Sequence, residues 1–227
     1  MTKYKSLVFD LDDTLLDTSH LLVPMASRNA CEAMIQAGLH CELQECMRLR
    51  QSMAAELSHS EIFSQIVDKF GADDKDKALK NALEKFYRPY IPGALPLMPG
   101  ALENLKNLAK NYRLFLVTMG DLETQNKKIK ALDIEKFFAR IFILDSFAGE
   151  KKEKAFRLIL QQENLSPAEL LSIGNRLSSE IRDAKRCGSD TCYFAFGEHF
   201  GERVQFPEDR PDFTITHHQE LINTCGL

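Results

Sequence analysis

The chain has 227 residues, with 29 Lys and Arg against 33 Asp and Glu, a net charge of −4, 44% hydrophobic and 27% charged residues. At about 150 residues per domain this length allows one large domain or two unequal ones, with about 70–75% of the unfolded surface buried. The composition excludes a disordered or collagen-like chain, the charge excludes a broad basic field for nucleic acid or acidic membrane, and apolar runs such as Leu7–Phe9 and Ile141–Leu144 are too short to span a bilayer.

Taken in order, the first element is the apolar run Leu7-Val8-Phe9, interrupted at once by Asp10, Asp12 and Asp13, so that no signal peptide is read at the start. From Ser19 to about Tyr90 no strand is expected. Met25, Met34, Met47, Met53, Leu57, Ile62, Phe63, Ile66, Val67, Phe70, Leu79, Leu83, Phe86 and Tyr87 recur at helical spacing, with Ser58 and Ser60 as candidate caps and Gly71 as a stop. These predict four helices whose stripes form a core, followed by a Pro- and Gly-rich linker over residues 89–96. Beyond it, runs of three to five residues at Leu114–Val117, Ile141–Leu144, Leu170–Ile173, Cys192–Phe196 and Phe213–Ile215 alternate with helical patterns. One helix opens at Pro99, one carries Ala155, Phe156, Ile159 and Leu160, one starts at Ser166-Pro167, and one runs from Ser179 to a stop at Gly188. Strand and helix in alternation predict an α/β fold, a parallel sheet covered on both faces. Six cysteines without a CxxC pair are expected to be reduced thiols of a cytoplasmic protein.

The acids behind the first strand carry the chemistry. Three carboxylates within four residues at the end of a buried strand repel one another unless a cation intervenes. At the carboxyl end of a parallel strand, Asp10 and Asp12 stand where ligands bind. A Mg²⁺ ion would relieve the crowding and hold an anionic oxygen. Asp10 is then the candidate nucleophile toward phosphorus, and Asp12 the group that gives a proton to the leaving oxygen and later takes one from water. The competing reading is an acidic turn with solvated charges.

The run Leu7-Val8-Phe9-Asp10-Leu11-Asp12-Asp13-Thr14-Leu15 resembles the first motif of the haloacid dehalogenase-like hydrolase superfamily, and the helical stretch behind it resembles that family's C1-type cap. Leu116-Val117-Thr118-Met119-Gly120-Asp121 is similar to the second motif, Lys151-Lys152-Glu153-Lys154-Ala155-Phe156 to the third, and Gly174-Asn175-Arg176-Leu177-Ser178-Ser179-Glu180-Ile181 to the fourth. The resemblance implies a Rossmann-like core over residues 1–18 and 92–227 with a helical cap over 19–91. It implies a Mg²⁺-dependent phosphatase that acts on a small phosphorylated metabolite through an aspartyl-phosphate at Asp10. Thr118, the Met119 backbone N–H and Lys151 would bind the phosphoryl group. Asp10, Asp12 and Glu180 would hold the metal, with Asn175 and Asp183 behind them. A monomer or homodimer is expected, with no nucleic-acid or membrane partner.

Asn175 and Glu180 stand where many members carry Asp. They favour the alternative of a catalytically silent metal-binding module, while the four shared motifs leave a phosphomutase open; Asp12 argues against a dehalogenase. His217-His218 is expected to be a cap or surface pair, and Lys127, Lys128 and Lys130 a solvated helix face.

Overall fold

The first apolar run becomes β1 (Ser6–Phe9), buried along its whole length. A strand covered on both faces needs apolar side chains in succession rather than in alternation, which accounts for Leu7, Val8 and Phe9. The computed structural model describes residues 3–145 and 148–227. Two compact units emerge, one of Met1–Asp17 with Pro92–Leu227 and the other of Thr18–Ile91.

The second unit is helical: α1 (Thr18–Leu21), α2 (Val23–Gln36), α3 (Leu43–Met53), α4 (His59–Phe70) and α5 (Lys75–Tyr87). Met34, Cys46, Ile62, Phe63, Ile66, Ala78 and Ala82 form its core, whereas Met25 is exposed and lies outside the stripe. Ser58, not Ser60, caps α4. Its hydroxyl accepts from Glu61 N–H at 3.3 Å while the Glu61 carboxylate accepts from Ser58 N–H at 2.9 Å. Asp74 caps α5 by accepting from Lys77 N–H at 3.0 Å.

The other unit continues with α6 (Ala101–Leu108), β2 (Arg113–Gly120), α7 (Leu122–Leu132), β3 (Arg140–Asp145), α8 (Lys152–Gln162), β4 (Leu170–Gly174), α9 (Arg182–Arg186), β5 (Asp190–Phe194), β6 (Phe213–Ile215) and α10 (Leu221–Cys225). The strands form one six-stranded sheet in the order β3-β2-β1-β4-β5-β6. Every pairing is parallel. Val8, Phe115, Val117 and Leu144 meet Ala155, Phe156 and Ile159 of α8 on one face.

Four elements differ from the sequence expectation. The helical unit opens with a four-residue helix, α1, ahead of the four that the periodicity predicts. Strand β2 runs past Thr118 to Gly120, because β3 continues to pair with it beyond the point where β1 ends. Ser166-Pro167 opens only a 3₁₀ turn over Pro167–Glu169, since β4 begins at the next residue. The helix ending at Gly188 starts with a π-helical turn over Leu177–Ile181, a form that proteins concentrate at functional sites.

Candidate active site

Strand register brings the motifs together. Phe9 lies level with Leu116 of β2 on one side and Ile173 of β4 on the other. The residues that follow β1 therefore emerge beside Thr118 and Asn175, at the carboxyl edge of the sheet where chains diverge. Asp10 N–H donates to Ile173 O at 2.9 Å, fixing the first step of this loop. Asp13 takes a left-handed conformation with φ of 53°. A Cβ at Gly197 would stand 2.2 Å from the Asp13 carboxylate, so only glycine fits there. Thr14 O receives a 2.7 Å hydrogen bond from His218 Nε2, and Asn104 Nδ2 donates to His218 O at 2.6 Å. His218 is thus a buried clamp on the acidic loop, which corrects the cap-or-surface reading for His218 alone; His217 is exposed and stands at the N-cap of the turn over His218–Glu220. Burial holds its imidazole below the usual value, against the opposing pull of the Thr14 bond.

Asp10, Lys152 and Glu180 form a buried triad. Lys152 Nζ donates to Asp10 Oδ1 at 2.5 Å and also to Glu180 Oε1. Glu180 Oε2 accepts from Arg176 N–H at 3.0 Å. Burial pushes the Asp10 carboxyl up; the Lys152 ammonium pulls it back and Glu180 pushes it further up. Burial disfavours the charged lysine, but the two carboxylates outweigh it and raise Lys152. Glu180 packs so closely over β4 that a Cβ on Gly174 would come within 2.5 Å of its Cγ.

The lysine expected from the sequence was Lys151, and the structure corrects this. Lys151 is the exposed residue preceding α8, in extended conformation, while Lys152 is buried against Asp10 and Glu180. Glu180, expected from the sequence at the metal, engages Lys152 through Oε1 and the Arg176 N–H through Oε2, beside Asp10. Asp183 lies behind, accepting from Glu153 N–H at 3.1 Å and so fixing the first turn of α8 next to Lys152. Burial raises the Asp183 carboxyl, and this hydrogen bond opposes the rise.

Asp12 has a second set of partners. Lys128 Nζ donates to its Oδ1 at 2.7 Å and Gln125 Nε2 to its Oδ2 at 2.8 Å. Gln125 Nε2 also lies 2.7 Å from Thr118 Oγ1 and 3.1 Å from Met119 O. Lys128 is buried, correcting its reading as part of a solvated face; its neighbour Lys127 pairs with Glu123 in solvent. Thr118 is buried within β2, and the Met119 side chain packs among the residues beneath α8.

No cluster of three His, Cys, Asp or Glu poised for a metal occurs among the described residues. The oxygens nearest the strand ends nevertheless suit magnesium, which takes few protein ligands and retains waters. Lys152 uses only Oδ1 of Asp10. Asn175 commits only its amide nitrogen, donating to Phe196 O at 3.3 Å. A carboxylate oxygen and an amide oxygen are thus left, both hard donors.

A family model described as haloacid dehalogenase-like hydrolase matches residues 7–194. Among curated proteins, a glyceraldehyde 3-phosphate phosphatase of Methanopyrus kandleri is 31% identical over 96% of both chains. One of Pyrococcus furiosus is 30% identical over 98% of this chain and 93% of its own. Among solved structures, the magnesium-bound HAD-hydrolase YfnB of Bacillus subtilis superposes with a TM-score of 0.67 at 22% identity, covering 98% of each chain.

Proposed function

The chain belongs to the haloacid dehalogenase-like hydrolases, and from that premise we propose that it hydrolyses a small phosphomonoester through a covalent phosphoryl group on Asp10. The observation that carries this reading is that Asp10 and Asp12 are each supplied with a separate lysine, Lys152 and Lys128. Two carboxylates in one acidic loop thereby occupy different environments and take different roles.

Asp10 Oδ attacks phosphorus as the ester P–O bond breaks, forming an acyl phosphate and releasing the alcohol oxygen. Asp12, in its carboxylic acid form, gives its proton to that oxygen, so the neutral alcohol departs. Water then attacks phosphorus, its proton passes to Asp12, and cleavage of the acyl phosphate returns the Asp10 carboxylate with inorganic phosphate. Thr118 and Lys152 meet the phosphoryl oxygens, where the charge of the transition state collects. Lys152 stays anchored by Glu180 as the Asp10 carboxylate becomes an acyl phosphate.

Magnesium would be held by Asp10, the Asp12 carbonyl and the Asn175 amide oxygen. When bound, it supplies positive charge to the phosphoryl oxygens. Asn175 brings one negative charge fewer than an aspartate, and the anionic substrate completes the balance. The relatives' names make glyceraldehyde 3-phosphate and similar short-chain phosphates the first substrates to test. The six free cysteines, five of them buried, fit a reducing cytoplasm.

The test is release of p-nitrophenol from its phosphate ester with and without Mg²⁺. Metal-dependent turnover lost in Asp10→Asn is the expected outcome. Wild-type protein that binds Mg²⁺ but turns over no member of a broad phosphoester panel would refute the enzyme reading in favour of a silent module.

A further inference from the structure

The geometry points to Gln125 as a positioning residue for catalysis, one that ties the Asp12 carboxylate to the Thr118 hydroxyl and turns the Thr118 proton outward to the substrate. The inference rests on the phosphatase reading of this site. Its starting point is that one side-chain nitrogen serves three oxygens: Asp12 Oδ2 at 2.8 Å, Thr118 Oγ1 at 2.7 Å and Met119 O at 3.1 Å. A carboxylate and a backbone carbonyl are acceptors only, so the amide must present its NH₂ group to them, which fixes its orientation. Both amide hydrogens are thereby directed into the cluster, and the Thr118 oxygen lies within their reach as a third acceptor. The Thr118 hydroxyl cannot donate back to that nitrogen. Its own hydrogen is left to point elsewhere, and a phosphoryl oxygen held at the strand ends is the acceptor that chemistry calls for.

The opposite end of the same side chain shows that this arrangement is imposed. Gln125 Oε1 is buried with no hydrogen-bond partner. A buried acceptor without a donor is costly, and native structures keep such atoms where another demand overrides satisfaction. Here the demand is the donor side, where flipping the amide would set oxygen against the Asp12 carboxylate and the Met119 carbonyl. Gln125 is buried, and a Cβ on Gly120 would touch its amide at 3.2 Å, so the side chain has little room to swing away. Lys128, one turn further along α7, holds the other Asp12 oxygen. The proton-transfer carboxylate is therefore located relative to the phosphate-binding hydroxyl through a single amide.

The test is Gln125→Met, which keeps the bulk and removes the donors. Values of kcat/KM, which report only steps up to transfer of the phosphoryl group to Asp10, are compared for two esters in Mg²⁺. An alkyl phosphate needs its leaving oxygen protonated; p-nitrophenyl phosphate does not. We expect a loss of about 100-fold for the alkyl ester and less than about 5-fold for the aryl ester, the difference being the contribution of a placed general acid. In an Asp12→Asn background, adding Gln125→Met should change the alkyl value by no more than the aryl loss, less than about 5-fold, since only the share through Thr118 remains. Far-ultraviolet circular dichroism and the melting temperature establish that each variant is folded, and Gln125→Leu provides a second variant of similar size. Equal losses on both esters, or full additivity with Asp12→Asn, would overturn the assignment while leaving the phosphatase reading intact. Absence of turnover by the wild type on every ester would remove both.

Discussion

A buried lysine between two buried carboxylates is worth more than its exposed neighbours because it pairs with both of them out of water. Replacing Lys152 by Met leaves Asp10 and Glu180 facing each other out of water, and breaking such a buried ion pair costs about 3–5 kcal/mol. Lys152→Met should therefore lower the unfolding midpoint in urea and abolish turnover of p-nitrophenyl phosphate, whereas Lys151→Met should alter stability by less than about 0.5 kcal/mol. Both substitutions remove one positive charge, so the comparison isolates position. The choice between the two lysines was only partly legible in the sequence: Lys152 stands three, four and seven residues before Ala155, Phe156 and Ile159, whereas Lys151 matches Ala155 and Ile159 at four and eight but not Phe156, and it is the cap position outside the helix that separates them. The same register marks Lys128, which lies four residues after Thr124 and four before Leu132 on the buried side of α7. The role of Gln125 was not legible, because its partners are distant in sequence or defined by how β2 and α7 pack. Asp12 is 113 positions away.

At the scale of single elements, local chemistry carries more of the outcome. Ser58 and Glu61 bond reciprocally across the first turn of α4. Ser58→Ala should destabilise the helical unit by about 1 kcal/mol, the usual worth of such a cap, while Ser60→Ala should be near neutral. Hydrogen exchange at the first turn of α4 reads the difference directly. Strand positions followed from short apolar runs bounded by polar or glycine residues, and all six lie where those runs stand. Their limits did not follow, since a strand ends where its neighbour stops pairing. Strand β5 ends at Phe194, although the apolar run continues to Phe196, because Phe196 N–H turns back to Phe194 O at 2.8 Å. The buried role of His218 was equally hidden, because its acceptor, Thr14 O, belongs to a loop 204 positions earlier.

For the molecule as a whole, that clamp links stability to pH. The folded protein disfavours protonated His218, whereas the unfolded chain binds the proton near the ordinary value of 6.5. As pH falls below about 6.5 the unfolded state gains protons that the folded state does not, so this contribution to stability is present above that value and is lost on acidification. Urea unfolding between pH 7.5 and 5.5 should show a steeper loss for the wild type than for His218→Phe, which has no proton to take up at this position. The sheet order has a further consequence, in time. Strand β1, which delivers Asp10 and Asp12, is synthesised first, yet its partners in register with Ser6 are Arg113 and Leu170. At about 5–20 residues per second, the ribosome must work for roughly ten seconds or more before the second partner exists. For much of that interval the helices over Thr18–Ile91 have all their own sequence in hand, while the apolar strand β1 waits uncovered. The newborn chain thus carries an apolar segment open to chaperones and to misassociation immediately ahead of Asp10 and Asp12.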